Sequence, residues 1–244
     1  AAEHLRWAEQ ALAQAERVDD DSLASAMFEL GGIAALEGDL ERAVGYYRRT
    51  LQVTDGSDLV TVRQWAVLAY NNLAYHLHLL GDPTACSYAE AGLRLAEAKG
   101  PGWGRSYLHS TLGEIALAAG DVDTAERHFM AGLTVANQRG QGERIAGLTA
   151  NLGLVALRRE ERDIALRRLS TALAQADELG THHLAAQICL WVAPLLPQAE
   201  ARARLAQARA IAEAGQSRRL LEDVRRLEAA MEAQPTGSTG TSRP

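Results

Sequence analysis

Residues 112–133, LGEIALAAGDVDTAERHFMAGL, decide the architecture. They place Leu112-Gly113 on one helix, a turn at Gly120-Asp121, and Ala125 and Phe129 on a second helix. The unit recurs with variations at Leu30-Gly31, Leu73-Ala74, Leu152-Gly153 and, most altered, Ile188-Cys189. The successive spacings are 43, 39, 40 and 36 residues. A fixed period of this size signals a stacked array rather than one closed core.

The turns carry their own logic. At Gly38-Asp39, Gly81-Asp82 and Gly120-Asp121 a glycine supplies the left-handed conformation that closes one helix. The aspartate then accepts from the free amides that open the next. Pro83 falls at a first helical position, where its missing N–H costs nothing. The fourth pair has Glu160-Glu161-Arg162-Asp163 instead of Gly-Asp, and in the fifth Pro194 and Pro197 stop a helix early.

These signals divide the chain. Residues 1–20 read as the second helix of a truncated preceding repeat. Residues 21–56, 57–100, 101–140, 141–180 and 181–215 read as five helix pairs. Residues 216–233 read as a C-terminal capping helix with Glu222 and Arg226 four apart on a polar face. Residues 234–244, QPTGSTGTSRP, have the composition of a flexible tail. The opening AAEHLRW, without a methionine, is expected of a segment cut from something longer.

Composition bounds the function. Apolar content is carried by Ala and Leu with few aromatics, a bias towards helix over sheet. The net charge of −6 argues against a nucleic-acid surface. No apolar run approaches a membrane span, and no signal peptide opens the chain. Cys86 and Cys189 lie far apart, each read at a small-residue slot, so neither a disulfide framework nor a zinc site is expected. A reducing, cytoplasmic setting is the simpler expectation. His76 and His78, two apart on a helix, point to different faces and make poor joint ligands. No Gly-rich phosphate loop, HExxH or GxSxG occurs. The expectation is a non-enzyme with no catalytic residue, metal or cofactor.

The recurring residues resemble the tetratricopeptide repeat family, which combines Leu-Gly on a first helix with Ala-x3-aromatic on a second. Leu112-Gly113 with Ala125 and Phe129, and Leu30-Gly31 with Ala43 and Tyr47, match this pattern. Leu152-Gly153 with Ala165 and Leu169 keeps the spacing with an aliphatic replacement. The repeats exceed the usual ~34 residues, and the early Trp slot holds Met27, Tyr70, His109, Thr149 and Leu184. The longer period is similar to kinesin-light-chain arrays and to C-terminal sensor arrays of bacterial signal-transduction ATPases and transcriptional activators. The resemblance implies an all-α, right-handed solenoid of antiparallel helix pairs. It also implies a concave groove lined by the first helices.

Helical spacing names a groove stripe. Its candidate partner-binding residues are Asn71, Asn72, Tyr75 and His78 in the second repeat and Tyr107, Thr111 and Glu114 in the third. Asn151, Arg158 and Gln187 continue it. The residue before each Leu of the Leu-Gly slot is polar throughout: Glu29, Asn72, Thr111, Asn151 and Gln187. Asn72 and Asn151 resemble the groove asparagines that kinesin-light-chain-like arrays use on peptide backbones, because a carboxamide both donates and accepts. A structural role, in bonds to a neighbouring helix, is the alternative for both.

The reading is a non-catalytic protein- or peptide-binding module. It would be the sensor or regulatory array of a larger bacterial signalling or transcription-regulating protein. A small-molecule sensor and a self-association scaffold are the rivals. The expected partner is a protein or peptide segment in the groove, with no direct nucleic-acid or membrane contact and a possible homo-oligomer.

Overall fold

The computed structural model describes Arg6, Gln10, residues 19–215 and residues 217–233. The helix expected over residues 1–20 falls almost wholly outside the described residues, as does the tail at 234–244. Among the described residues there are eleven α-helices and no strand. We number them α1 (Asp20–Leu36), α2 (Leu40–Thr54), α3 (Val60–Leu79), α4 (Ala85–Ala98), α5 (Arg105–Ala118), α6 (Val122–Arg139), α7 (Gly142–Arg158), α8 (Arg162–Glu178), α9 (His182–Val192), α10 (Gln198–Ala214) and α11 (Arg218–Ala233). Short 3-10 turns at Gly102–Gly104 and Ala193–Leu195 complete the order. The chain forms two compact units, residues 1–144 and 145–244.

In the first unit α1 pairs with α2, α3 with α4 and α5 with α6. The first helices α1, α3 and α5 follow one another side by side, and each second helix packs on the next first helix. Asp19, Asp39 and Asp121 accept from the backbone amides of Ser22, Arg42 and Thr124 at 2.8, 3.0 and 3.0 Å. The glycines before Asp39 and Asp121 have φ of 85° and 84°, as the turn chemistry requires. The Gly81-Asp82 turn differs in detail. Asp82 accepts from the Thr84 amide at 2.8 Å and the Thr84 hydroxyl at 2.6 Å. The helix opens at Ala85, so Pro83 lies in the turn and not at the first helical position.

Close helix approach is built from complementary sizes. A Cβ on Gly113 would stand 2.4 Å from Phe129 Cε1, and one on Gly31 would stand 2.6 Å from Tyr47 Cε1. The aromatic of the second helix therefore lies flat on the glycine of its own pair. In the second pair the glycine becomes Ala74, and the small side chains Ala85, Ala89 and Gly92 are among the buried ones on α4. Cys86 is only half-buried, so Ala85 takes the small-residue slot. Tyr47 joins Ala34, Ala43, Leu73 and Leu77 in one apolar cluster.

In the second unit α8 packs on α7, with Leu169 against Gly153 and Ala150. Glu160 adopts φ 63° in the turn that lacks a glycine. Glu161 stands where aspartates cap elsewhere and makes no side-chain cap bond. After α9 the chain tightens into the 3-10 turn at Pro194, whose carbonyl and that of Leu195 lie near the Arg162 guanidinium. On α11 Leu220 and Val224 are buried. The i,i+4 pairing of Glu222 with Arg226 does not form; Arg226 reaches Asp223 at 2.7 Å instead.

Candidate functional site

In the first unit the candidate residues lie on α3 and α5, and the structure ties several of them to one another. Thr111 donates to Asn71 Oδ1 at 2.9 Å, from one first helix to the next. Asn71 Nδ2 donates to Asn72 Oδ1 at 3.1 Å, and Asn72 Nδ2 donates to the Tyr47 hydroxyl at 3.3 Å. One polar chain thus crosses three successive pairs, from α2 through α3 to α5. Asn71 and Thr111 are 9% and 5% exposed, which places their polar atoms in this chain rather than on an open surface. Asn72 is half-buried. Its carboxamide uses one donor and one acceptor here and keeps one of each.

Aromatic and imidazole rings surround this chain. Tyr47 lies 5.6 Å from Phe28 and 5.4 Å from His76, centroid to centroid. Phe28 in turn meets Trp65, whose indole donates to Asp21 at 2.9 Å. Burial pushes the Tyr47 phenol above its ordinary pKa, against the bond from Asn72. Burial pushes the His76 imidazole below its ordinary value. Its Nδ1 lies 2.6 Å from the Asn72 carbonyl, which can only accept, so Nδ1 carries the proton.

Further along, Tyr75, His78, Tyr107 and Glu114 are half-buried. Tyr75 sets its ring edge-on to His76 at 5.3 Å, and Glu114 accepts from Ser110 at 3.0 Å. Trp103 and Tyr107 meet edge-to-face at 5.9 Å, and the Arg144 guanidinium lies 4.7 Å over the Tyr107 ring. Gln141 fixes the loop beneath: its Nε2 donates to the Trp103 carbonyl at 3.3 Å, and its Oε1 lies 2.8 Å from the Ser106 hydroxyl. Tyr70 packs over Gly92 and beside Tyr88. In the second unit Asn151 is 6% exposed, Gln187 is half-buried and Arg158 is exposed.

Sequence reasoning missed Arg144 beside Tyr107, and the buried Tyr47 hydroxyl as the end of the polar chain. Tyr47 reads as packing because it fills the aromatic slot. Arg144 stands seven residues before Asn151, so carrying the stripe two turns back along α7 would have found it.

A second concavity lies on a different face of α5, between α4 and α6. It has a volume of about 400 Å³. Leu93, Leu112, Ile115, Ala116 and Ala119 form an aliphatic floor, with Glu90, Arg94, Glu97 and His128 at the rim. His128 Nδ1 lies 3.1 Å from His109 Nδ1. Burial pulls the His109 imidazole down to about 4, helped by His128 and Arg105, and lowers His128 as well. Among the described residues no group of three or more His, Cys, Asp and Glu is placed to hold a metal ion. None of the described helices is long and apolar enough to cross a membrane.

No protein-family model matches the chain, and no curated protein sequence matches it significantly. Solved structures do resemble it in fold. BtubC from P. vanneervenii is 18% identical with a TM-score of 0.65, over 100% of this chain and 96% of that one. A chain of the APC/C hetero-tetramer Cut9-Hcn1 is 19% identical with a TM-score of 0.66, over 92% of this chain and 39% of that one. TTC0263, a thermophilic TPR protein in Thermus thermophilus, is 20% identical with a TM-score of 0.61, over 86% of this chain and 99% of that one. The fold is all-α, an array of antiparallel helix pairs of the tetratricopeptide type.

Proposed function

We propose that the chain is a non-catalytic module that binds a protein or peptide segment on the first-helix face of its first unit. The observation that carries this reading is the polar chain from Tyr47 to Thr111. It locks three successive pairs in register and leaves Asn72, Tyr75 and Tyr107 half-exposed beside it. Asn72 keeps a free donor and a free acceptor, which suits an extended main chain. Two half-exposed tyrosines offer rigid, amphipathic contact area of the kind that anchors partners. A surface held by fixed bonds loses little freedom on binding, which favours affinity. The Cut9-Hcn1 complex supports the reading by analogy of fold, being a hetero-tetramer.

By the resemblance of its long repeats to bacterial sensor arrays, the module serves as the sensor or regulatory array of a larger bacterial signalling or transcription-regulating protein in the cytoplasm. A ligand would there bias an attached effector between two states. The test is selection of peptides from a random display library, followed by amide hydrogen exchange on the complex. Protection confined to α3 and α5 around Asn72, Tyr75 and Tyr107 is expected. Failure to select any binder, or protection elsewhere, contradicts the reading.

The cleft between α4 and α6 favours a second reading, a small-molecule sensor, since about 400 Å³ lies within the range of ligand-binding cavities. A thermal-shift screen of metabolites separates the two. Saturable stabilisation by one compound, abolished by Ala116→Arg on the cleft floor, supports the sensor.

A further inference from the structure

The cleft between α4 and α6 opens at one register position that the other pairs keep covered. Three residues after the second residue of each Leu-Gly slot stand Ala34, Leu77, Ala116, Ala156 and Val192. Ala34, Leu77, Ala156 and Val192 are buried, at 0%, 2%, 1% and 1% exposed, whereas Ala116 is half-buried and lines the cleft. Leu112, Ile115, Ala116 and Ala119 keep helical spacing, so the floor is one apolar stripe of α5.

The rim above this stripe is anionic. Glu90, Arg94 and Glu97 follow one another on one face of α4, and Asp121, at the start of α6, lines the cleft with them. Arg94 meets Glu90 at 3.7 Å with both side chains more than half exposed, a pair that solvent weakens. Glu97 is exposed and, among the described residues, forms no ion pair. Hydrogen bonds from Thr124 hold the Asp121 carboxyl below its ordinary pKa, so it is charged at neutral pH. Burial holds His128 below its ordinary value, so that imidazole is neutral there. Three carboxylates thus stand against one guanidinium at the mouth of an aliphatic floor.

We propose that this cleft takes a small amphiphilic cation, an unbranched alkyl chain ending in a protonated amine. The proposal rests on the second reading above, the cleft as a ligand site, and names the class of its ligand. The chain lies along the α5 stripe and takes apolar surface out of water on both sides. The ammonium stays at the mouth against Glu97 and Glu90, where it keeps its hydration and avoids the cost of burying a charge. An alkyl carboxylate of the same length would bring a like charge to these groups. An alcohol would gain the floor and nothing from the rim. Neutral His128 does not repel the cation.

The experiment uses the full chain with labelled methyl groups. It is titrated at neutral pH, below the critical micelle concentration, with butyl-, hexyl- and octylammonium, with octanol and with octanoate. Saturable shifts of the Leu112, Ile115 and Ala116 methyl resonances are expected. Each added methylene should tighten binding by up to about fourfold. Octylammonium should bind about fivefold more tightly than octanol, and octanoate more weakly than either. Glu90→Gln with Glu97→Gln should bring the amine level with the alcohol. Ala116→Leu, which copies Leu77 of the preceding pair, should weaken every ligand at least about tenfold. If that variant does not fold, Glu97→Gln at its exposed position still reads the charge preference and should at least halve it.

Octanol binding as tightly as octylammonium, or octanoate binding more tightly, overturns the proposal and leaves the cleft standing as a ligand site. A preference for the amine that survives the loss of both carboxylates overturns it too. Saturable shifts confined to other helices, or no saturable binding by any of these ligands, overturn it together with the reading of the cleft. The partner surface on the first helices is untouched by each of these results.

Discussion

Thr111 donates its hydroxyl hydrogen to Asn71 at 2.9 Å across forty residues of chain, and both side chains are buried. The bond joins α3 to α5 through a buried layer of polar atoms, away from the turns and the rim. Removing Asn71 alone leaves the Thr111 hydroxyl buried without its acceptor. We expect Asn71→Ala to cost about 1–3 kcal/mol. The pair Asn71→Leu with Thr111→Val should cost less than the sum of its single changes. Urea unfolding of the four proteins checks this through the coupling in the cycle.

Gly113 is small because Phe129 lies on it. Gly113→Ala should destabilise by about 1–3 kcal/mol through overpacking, since its Cβ would stand 2.4 Å from the ring. Phe129→Leu in the same chain should recover part of that loss, as the native pairing of Gly153 with Leu169 uses the smaller side chain. Thermal unfolding of single and double variants reads both effects.

Glu160 holds a left-handed backbone, φ 63°, where other turns use glycine. Glu160→Gly should therefore raise stability by up to about 1 kcal/mol despite the entropy glycine adds to the unfolded chain. Gly120→Ala should lower it, and only for conformational reasons, because nothing lies within 4 Å of a Cβ there. Urea midpoints of the two variants against wild type measure both changes.

Acid should weaken the first unit through the His109–His128 pair. His109 titrates near 4 in the fold and near its ordinary 6.5 when unfolded. The folded state thus binds fewer protons between those values, and stability present above 6.5 is lost as pH falls towards 4. His128 and His76 shift in the same direction and add to the slope. The charges facing the pair are Arg105, Arg127 and Glu90. Urea midpoints measured from about pH 7 to about pH 4 should fall, and His109→Gln should flatten the profile.

Much of this architecture is legible in the sequence because each helix pair writes its own boundaries. Gly38-Asp39 and Gly120-Asp121 state where one helix stops and the next starts, and Gly113 with Phe129 states how close they come. The site is less legible because helical spacing gives a side chain's direction but not its partner. Helical spacing puts Asn72 and Thr111 on one stripe, but it does not announce that the Tyr47 hydroxyl and Asn71, from neighbouring repeats, bond to them. Which polar residues remain available to a ligand depends on that pairing across repeats. The left-handed Glu160 was likewise hidden, since no residue type announces a strained turn.

The most direct test is the affinity of a display-selected peptide for the wild-type chain and for Tyr75→Ala/Tyr107→Ala, with melting temperatures measured alongside. If the first-helix face is the partner surface, the double variant keeps its melting temperature within a few degrees and binds at least about tenfold more weakly. Unchanged affinity in a folded double variant would contradict it.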